Sequence, residues 1–397
     1  MLKPQQAATT VLLGALIAIA PLAMDIYLAS MPSMTRALAA TPEQVQLTLS
    51  LYMYAWGFSQ LVTGPLSDRF GRRPLLLAGL AVFTVASAAC AAAGTVEALI
   101  AARIVQALSM GTVAVVPRAV VRDLYAGDKA AHILSLMGMV LGIAPIVAPV
   151  LGSHLHAWLG WQANFVFVAL YGATALGCVF AALPETLQHR DARATHLTTM
   201  LCNHACLLRS RQFLGYLLVA AFTSSGLFAF LAGSAFVFVT VLGHSEQGFG
   251  FLFAGVMLGN LTGATLGSRM VRRWGIDRMI GRATAVMVIA GLALALLAWM
   301  RVANPFAVVA PMFFYMAASM MTLPQAMAGG LTPFPKIAGS AASLLSFAQF
   351  VIASSAALLV GLTFDGTARP MATVIAAAGV LAFLAFRLLV RAAGPGR

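Results

Sequence analysis

With 397 residues, 61% of them hydrophobic, only 9% charged and a mean hydropathy of +0.92, the chain is too apolar for a water-soluble protein of its size. A formal net charge of +13 would point to nucleic acid only if it were concentrated in a basic soluble domain, and no polar stretch is long enough to form one. The apolar runs do not alternate and are too long for strands of a membrane barrel.

Runs of roughly 20 apolar residues, each able to cross a hydrocarbon core of about 30 Å as a helix, predict an all-α integral membrane protein with twelve spans. The first, 9–31, is too long and too acidic for a cleavable signal and is read as retained. It carries Asp25 and Tyr27 in "PLAMDIYLASMP". The second, 45–66, sets Tyr52, Trp56 and Gln60 at i, i+4, i+8, one helical stripe. It leads into "GPLSDRFGRRP" and the third span, 74–94. The fourth, 97–120, presents Arg103, Gln106 and Met110 in "IAARIVQALSMG", followed by Asp123. The fifth, 131–155, holds Gly138, Gly142, Pro145, Pro149 and Gly152, small surfaces that favour close helix contact and local bending. The sixth, 162–183, ends in "LPET".

The polar interval that follows includes "ETLQHRDARATH" and divides the chain into a bundle at 1–184, a cytoplasmic linker at 185–211 and a second bundle at 212–397. Cys202, His204 and Cys206 lie in the linker, but C-x-H-x-C lacks zinc-finger spacing, so reduced thiols and no metal are expected. The seventh span, 213–242, groups Phe228, Phe230, Phe236 and Phe238 around Gly226 and Gly233. The last five, 247–267, 276–300, 304–327, 338–364 and 371–389, add Tyr315, Gln325 and Gln349. These aromatic, glutamine and methionine side chains are candidate substrate contacts; packing and lipid contact are the alternative use of the aromatic ones.

With the N-terminus inside, twenty Lys and Arg residues fall in the inner loops and three, Arg36, Arg301 and Arg369, in the outer ones. The count predicts both termini in the cytoplasm. Arg103 is left over, well inside a span. The loops after the second and eighth spans are related: Arg69, Arg72 and Arg73 match Arg269, Arg272 and Arg273 in "GATLGSRMVRRWG" at a constant offset of 200. Six spans on each side of the linker make this a parallel duplication.

"GPLSDRFGRRP" resembles the signature loop of the major facilitator superfamily, and "GMVLGIAPIVAPVLG" resembles the Gly/Pro-rich helix of its proton-coupled antiporters. "MDIYL", "QLTLSLYM", "VRDLYAG" and "LPET" together resemble the Bcr/CflA drug-resistance branch, with Ala29 where that branch usually has proline. The resemblance implies the major facilitator fold, two pseudo-symmetric six-helix bundles, in a monomer of the bacterial inner membrane. It also implies proton-driven export of phenicol, bicyclomycin or sulfonamide-type drugs with no cofactor, partners being the drug, protons and the bilayer. It further implies a conformational latch from Gly64, Asp68, Arg69, Gly71, Arg72 and Asp123, in which Asp68 caps or pairs across the halves and Arg72 reaches Asp123. Anchoring of the loop by its positive charge is the plainer alternative.

Asp25 is the one acid well inside a span, and an intramembrane ionisable residue is a functional site by default. Counted from the predicted outer ends, Asp25 and Arg103 both lie about 9 Å deep, so they can meet. Burial and a neighbouring guanidinium act on a carboxylate in opposite directions, so Asp25 is expected to carry the coupling proton with Arg103 as partner. A static ion pair that only fixes packing is the alternative. One proton in for one neutral or zwitterionic drug out would draw about 2.3 kcal/mol per 100 mV from the membrane potential. A metabolite transporter would need a charge-matched cavity, and an enzyme would need acids or histidines gathered at one depth. His132, His154, His156, His189, His196, His204 and His244 instead lie near span ends or in loops. Rocking halves with Gly/Pro-rich helices argue against a channel.

Overall fold

Backbone amides in hydrocarbon have only one another as partners, which makes the helix the default for each apolar run. The computed structural model describes residues 7–187 and 197–391, and these contain helices and short connections but no strand. In order they are α1 (Ala7–Asp25), a 3-10 turn (Leu28–Ser30), α2 (Met31–Ala37), α3 (Pro42–Phe70), α4 (Arg72–Ala91), α5 (Val96–Leu124), α6 (Gly127–Leu159) and α7 (Gln162–Ala182). Then follow α8 (Leu197–Arg209), α9 (Arg211–Ala235) with a π turn (Phe236–Val241), α10 (Glu246–Trp274), α11 (Ile276–Trp299) and α12 (Phe306–Leu331). A 3-10 turn (Pro335–Ile337), α13 (Ala338–Leu362), α14 (Arg369–Ala385) and a final π turn (Phe386–Val390) complete the chain. Eleven segments, α1 and α2 counted together, have the length and hydropathy to cross a membrane. At 29 residues α3 has the length for a twelfth, but Gln46, Thr48, Ser50, Ser59 and Gln60 make it more polar.

The described residues divide into two compact units, one within Met1–Ala40 and Leu51–His196 and the other within Thr41–Ser50 and Leu197–Arg397. Two points differ from the linear division at 185–211. The first turns of α3 belong with the second unit, and part of the polar link is the helix α8, whose Leu207 is buried with Phe213, Ile280 and Phe386 in that unit's core. The stretch 188–196, with Arg190 and Arg193 of the basic count, lies outside the described residues, as do Lys3, Arg397 and the side chain of Lys336.

Local chemistry fixes the helix starts. Thr95, Ser210 and Ser245 accept hydrogen bonds from the backbone N–H three residues on, at 3.2, 3.3 and 3.1 Å, satisfying amides that have no partner inside the helix. The first span departs from the sequence expectation in two ways. It continues to Ala37 rather than ending near residue 31, so Asp25 lies deeper than its count from the outer end implied. It also breaks directly after Asp25, without a proline at position 29. The break is held from outside. Asn164 Nδ2 on α7 donates to Ser30 Oγ at 3.0 Å, and Gly152 on α6 lies against the carbonyl of Ile26 so closely that any Cβ would collide with it. Backbone contact of that kind is open only to glycine.

The constant offset between the two basic loops does not survive in three dimensions. Gly71, at φ +106°, ends α3 so that Arg72 and Arg73 open α4. The second copy has Val271 at the matching place, α10 runs on to Trp274, and the chain breaks at Gly275, φ +73°. Arg272 and Arg273 are therefore in the last turn of one helix, where their positive charge suits the C-terminal dipole, rather than in the first turn of the next.

Candidate functional site

Within the first unit, Arg103 on α5 is fully buried. Its guanidinium carbon lies 3.8 Å from the ring centre of Tyr52, 4.6 Å from that of Tyr27 and 5.8 Å from that of Phe165. Desolvated contacts of this type contribute about 2 kcal/mol. Nη1 donates to the carbonyl of Ala23 at 3.0 Å and to Gln106 Oε1 at 2.5 Å. Gln106 Nε2 in turn donates to Ser87 Oγ on α4 at 2.7 Å, and Ser87 donates to the Phe83 carbonyl at 2.6 Å. The i, i+3 spacing of Arg103 and Gln106 is what sets the first of these bonds on one face of α5.

Asp25 closes α1 beside this network, 1% exposed, with Oδ1 lacking a hydrogen-bond partner. Asp25 and Arg103, whose predicted depths allow them to meet, form no ion pair with each other here; the ion pairs of the first unit's basic loop are those of Arg72 with Asp68 and Asp123. Aromatic faces and the Ala23 carbonyl take up the guanidinium instead, leaving its Nε and Nη2 without acceptors. The site thus holds a carboxyl group and a guanidinium as neighbours, each with unused hydrogen-bonding capacity. Such a pair can respond to a proton or a ligand without first breaking a tight bond.

Tyr52 is buried, its hydroxyl has no partner, and its ring meets Trp56 edge-on at 6.3 Å. Gln60, a turn further along α3, is half-buried, and Met110 is buried on α5. Phe165 was not foreseen as part of this site; only its place in an apolar run marked it in the sequence.

The antiporter-like helix is α6. Gly152 makes the contact with Ile26, Pro149 is buried, and Gly142 and Pro145 are half-buried. Gly138 does not share in close packing: it is exposed, and a Cβ there would meet nothing within 4 Å.

At the basic loop, Arg72 Nε donates to Asp123 Oδ2 at 3.0 Å, and Nη1 donates to Asp68 Oδ1 and to Ser67 Oγ, both at 2.5 Å. Asp68 thus pairs with Arg72 one turn along the chain. Arg69 lies 5.3 Å from the Phe70 ring centre, and Gly64 has open space around it. Glu185, from "LPET", was not foreseen as a site residue. Its Oε1 accepts from the backbone N–H of Arg72, Thr186 and Leu187 at 3.0, 2.9 and 3.0 Å, and Oε2 accepts from that of Arg73 at 3.3 Å. A carboxylate at the first amides of α4 complements the positive end of the helix. Gly71 leaves room for it, because a Cβ would collide with Oε2.

The aromatic candidates on the seventh span each pack against a further phenylalanine of the second unit. Phe228 meets Phe350 at 5.4 Å, Phe230 stacks on Phe253 at 5.6 Å and Phe236 meets Phe364 at 5.6 Å. Tyr315 is buried against Gly226 with its hydroxyl unpartnered, and Gln349 Nε2 donates to Ser224 Oγ at 2.8 Å. In the linker helix Cys202 and Cys206 are exposed free thiols, and no metal-binding cluster of His, Cys, Asp and Glu occurs among the described residues.

A bundle of long apolar helices with a charged pair buried in its interior defines a polytopic membrane transporter rather than an enzyme. The Major Facilitator Superfamily model matches residues 13–358, and the chain belongs to that superfamily. Its curated relatives fall in the Bcr/CflA drug-resistance branch. It is 30% identical to the bicyclomycin resistance protein homolog of Haemophilus influenzae over 95% of this chain and 94% of that one. It is 31% identical to the chloramphenicol resistance protein of Pseudomonas aeruginosa over 92% and 86%, and 30% identical to multidrug resistance protein D of Escherichia coli over 87% of each. Solved structures share the fold at low identity. The D-xylose–proton symporter matches with TM-score 0.73 at 16% identity over 97% of this chain and 98% of that one. A bacterial homolog of the human lysosomal transporter Spinster gives 0.75 at 13% over 98% and 99%.

Proposed function

We propose that the chain is a drug exporter of the inner membrane, driven by protons, which removes small neutral or zwitterionic antibiotics of the phenicol, bicyclomycin or sulfonamide class. Supporting the class are the names of its relatives, resistance proteins for bicyclomycin, chloramphenicol and multiple drugs. One observation carries the coupling site: a fully buried carboxylate, Asp25, with an unpartnered oxygen beside an arginine held by rings instead of by that carboxylate. Proton exchange at Asp25 changes the charge of the pocket by one, and with it the field at Arg103, Tyr52 and Gln106. Drug and proton then occupy the site alternately as it opens to one side of the membrane and the other.

The test is transport in proteoliposomes under an imposed pH gradient, wild type against Asp25→Asn, with a phenicol as substrate and a pH dye inside. Drug-dependent proton movement in wild type that is lost in the variant supports the reading. Equal coupling in both would remove Asp25 from the mechanism, and gradient-driven transport of none of the three drug classes would turn the assignment toward a metabolite.

A further inference from the structure

We propose a binding site for the headgroup of an anionic phospholipid between α11 and the end of α14, in the second unit and away from the buried pair. A cavity of about 520 Å³ opens there, ringed by Arg278, Arg282, Arg387 and Arg391, with Phe383 and Phe386 among its apolar walls. One acid, Asp277, faces the four arginines, and its Oδ1 already accepts a 2.7 Å hydrogen bond from the Tyr216 hydroxyl. None of the four arginines forms an ion pair with a described residue. Two are held in position by rings, Arg282 at 4.1 Å from the centre of Trp274 and Arg387 at 5.0 Å from that of Phe383. A planar guanidinium fixed in this way offers its forked N–H pairs to phosphate at little cost in ordering.

A lipid source is favoured over free phosphate by what lies alongside. Val286 and Ile289 on α11, with Leu384 on α14 and Leu388 in the turn that follows it, are exposed apolar side chains on the segments that line the cavity. Acyl chains would lie against them while the phosphate met the arginines. The basic-loop count puts this end of the bundle on the cytoplasmic side, where anionic lipid and basic pockets between helices meet.

The full-length protein, purified in mild detergent, would be titrated with cardiolipin, phosphatidylcholine or inorganic phosphate and read by native mass spectrometry. We expect one cardiolipin per chain and at least tenfold weaker retention of phosphatidylcholine. Arg282→Gln/Arg387→Gln should weaken cardiolipin about thirtyfold, from about 1 kcal/mol per basic residue. Arg269→Gln/Arg273→Gln, which removes the same charge from the C-terminal end of the neighbouring α10, should change it less than about twofold. Arg282→Lys/Arg387→Lys, which keeps the charge needed for insertion, should bind several-fold more weakly than wild type because an ammonium cannot form the fork. Equal loss in the two glutamine variants, unchanged binding in the lysine variant, or displacement of cardiolipin by an equal concentration of inorganic phosphate would each overturn the proposal.

Discussion

The first unit buries charge: Asp25 and Arg103 lie in its interior and Arg72 is nearly buried at one end. The second unit, at similar size, buries only neutral polar side chains among its described residues, Gln349, Ser224, Thr284 and Thr322 among them, and fills the space with phenylalanine pairs. A neutral interior can pack and adapt, but it cannot exchange a proton near neutral pH. The buried acidic and basic side chains thus all lie in the sequence before Tyr125, while the interior of the second unit is neutral among its described residues.

That contrast can be broken at several levels. The largest expected effect is Asp25→Asn, which should reduce proton-coupled transport to background, whereas Gln349→Leu in the second unit should cost about tenfold or less; parallel flux assays decide whether coupling is one-sided. Next, Arg103→Lys keeps the charge but loses the planar guanidinium that lies over Tyr27 and Tyr52 and whose Nη1 reaches Ala23 and Gln106, and transport should fall roughly tenfold with the protein still folded. Gly152→Ala should lower stability by about 1–3 kcal/mol through collision with the Ile26 carbonyl, against almost no change for Gly138→Ala, read as melting temperatures in one detergent. Glu185→Ala should cost about 1 kcal/mol as a lost helix cap, and Glu185→Gln less. The smallest effect concerns a surface charge of the second unit. Hydrogen bonds from Thr367, foremost its hydroxyl at 2.6 Å, hold the Asp365 carboxyl below its ordinary range. Its contribution to stability is present above the unfolded-state value and is lost as pH falls through the lower folded one. Thr367→Ala should move that titration back up, as carboxyl NMR would report, without touching transport.

Much of this was legible in order along the chain. Asp25 and Arg103 stand out because charge in an apolar run is rare. What could not be read depends on residues distant in sequence. The guanidinium of Arg103 is claimed by the rings of Tyr27, Tyr52 and Phe165, which pairwise depth counting ignores. The break after Asp25 is imposed by α6 and α7 rather than by a local proline. Three matching arginines looked equivalent in both loops, but one glycine, at 71 and not at 271, moves two of the three, Arg72 and Arg73 against Arg272 and Arg273, to opposite ends of a helix junction.

The hydrogen bonds from Arg72 and Arg73 to Glu185 join positions 113 and 112 residues apart in the chain. A ribosome feeding this protein into the membrane would deliver α4 long before the carboxylate that caps it, so the basic turn waits with bare amides until the sixth span has emerged. Closing the first half of the protein is then a late event of its own synthesis, and a chain interrupted just before residue 185 would hold all six spans yet leave the basic turn unfastened.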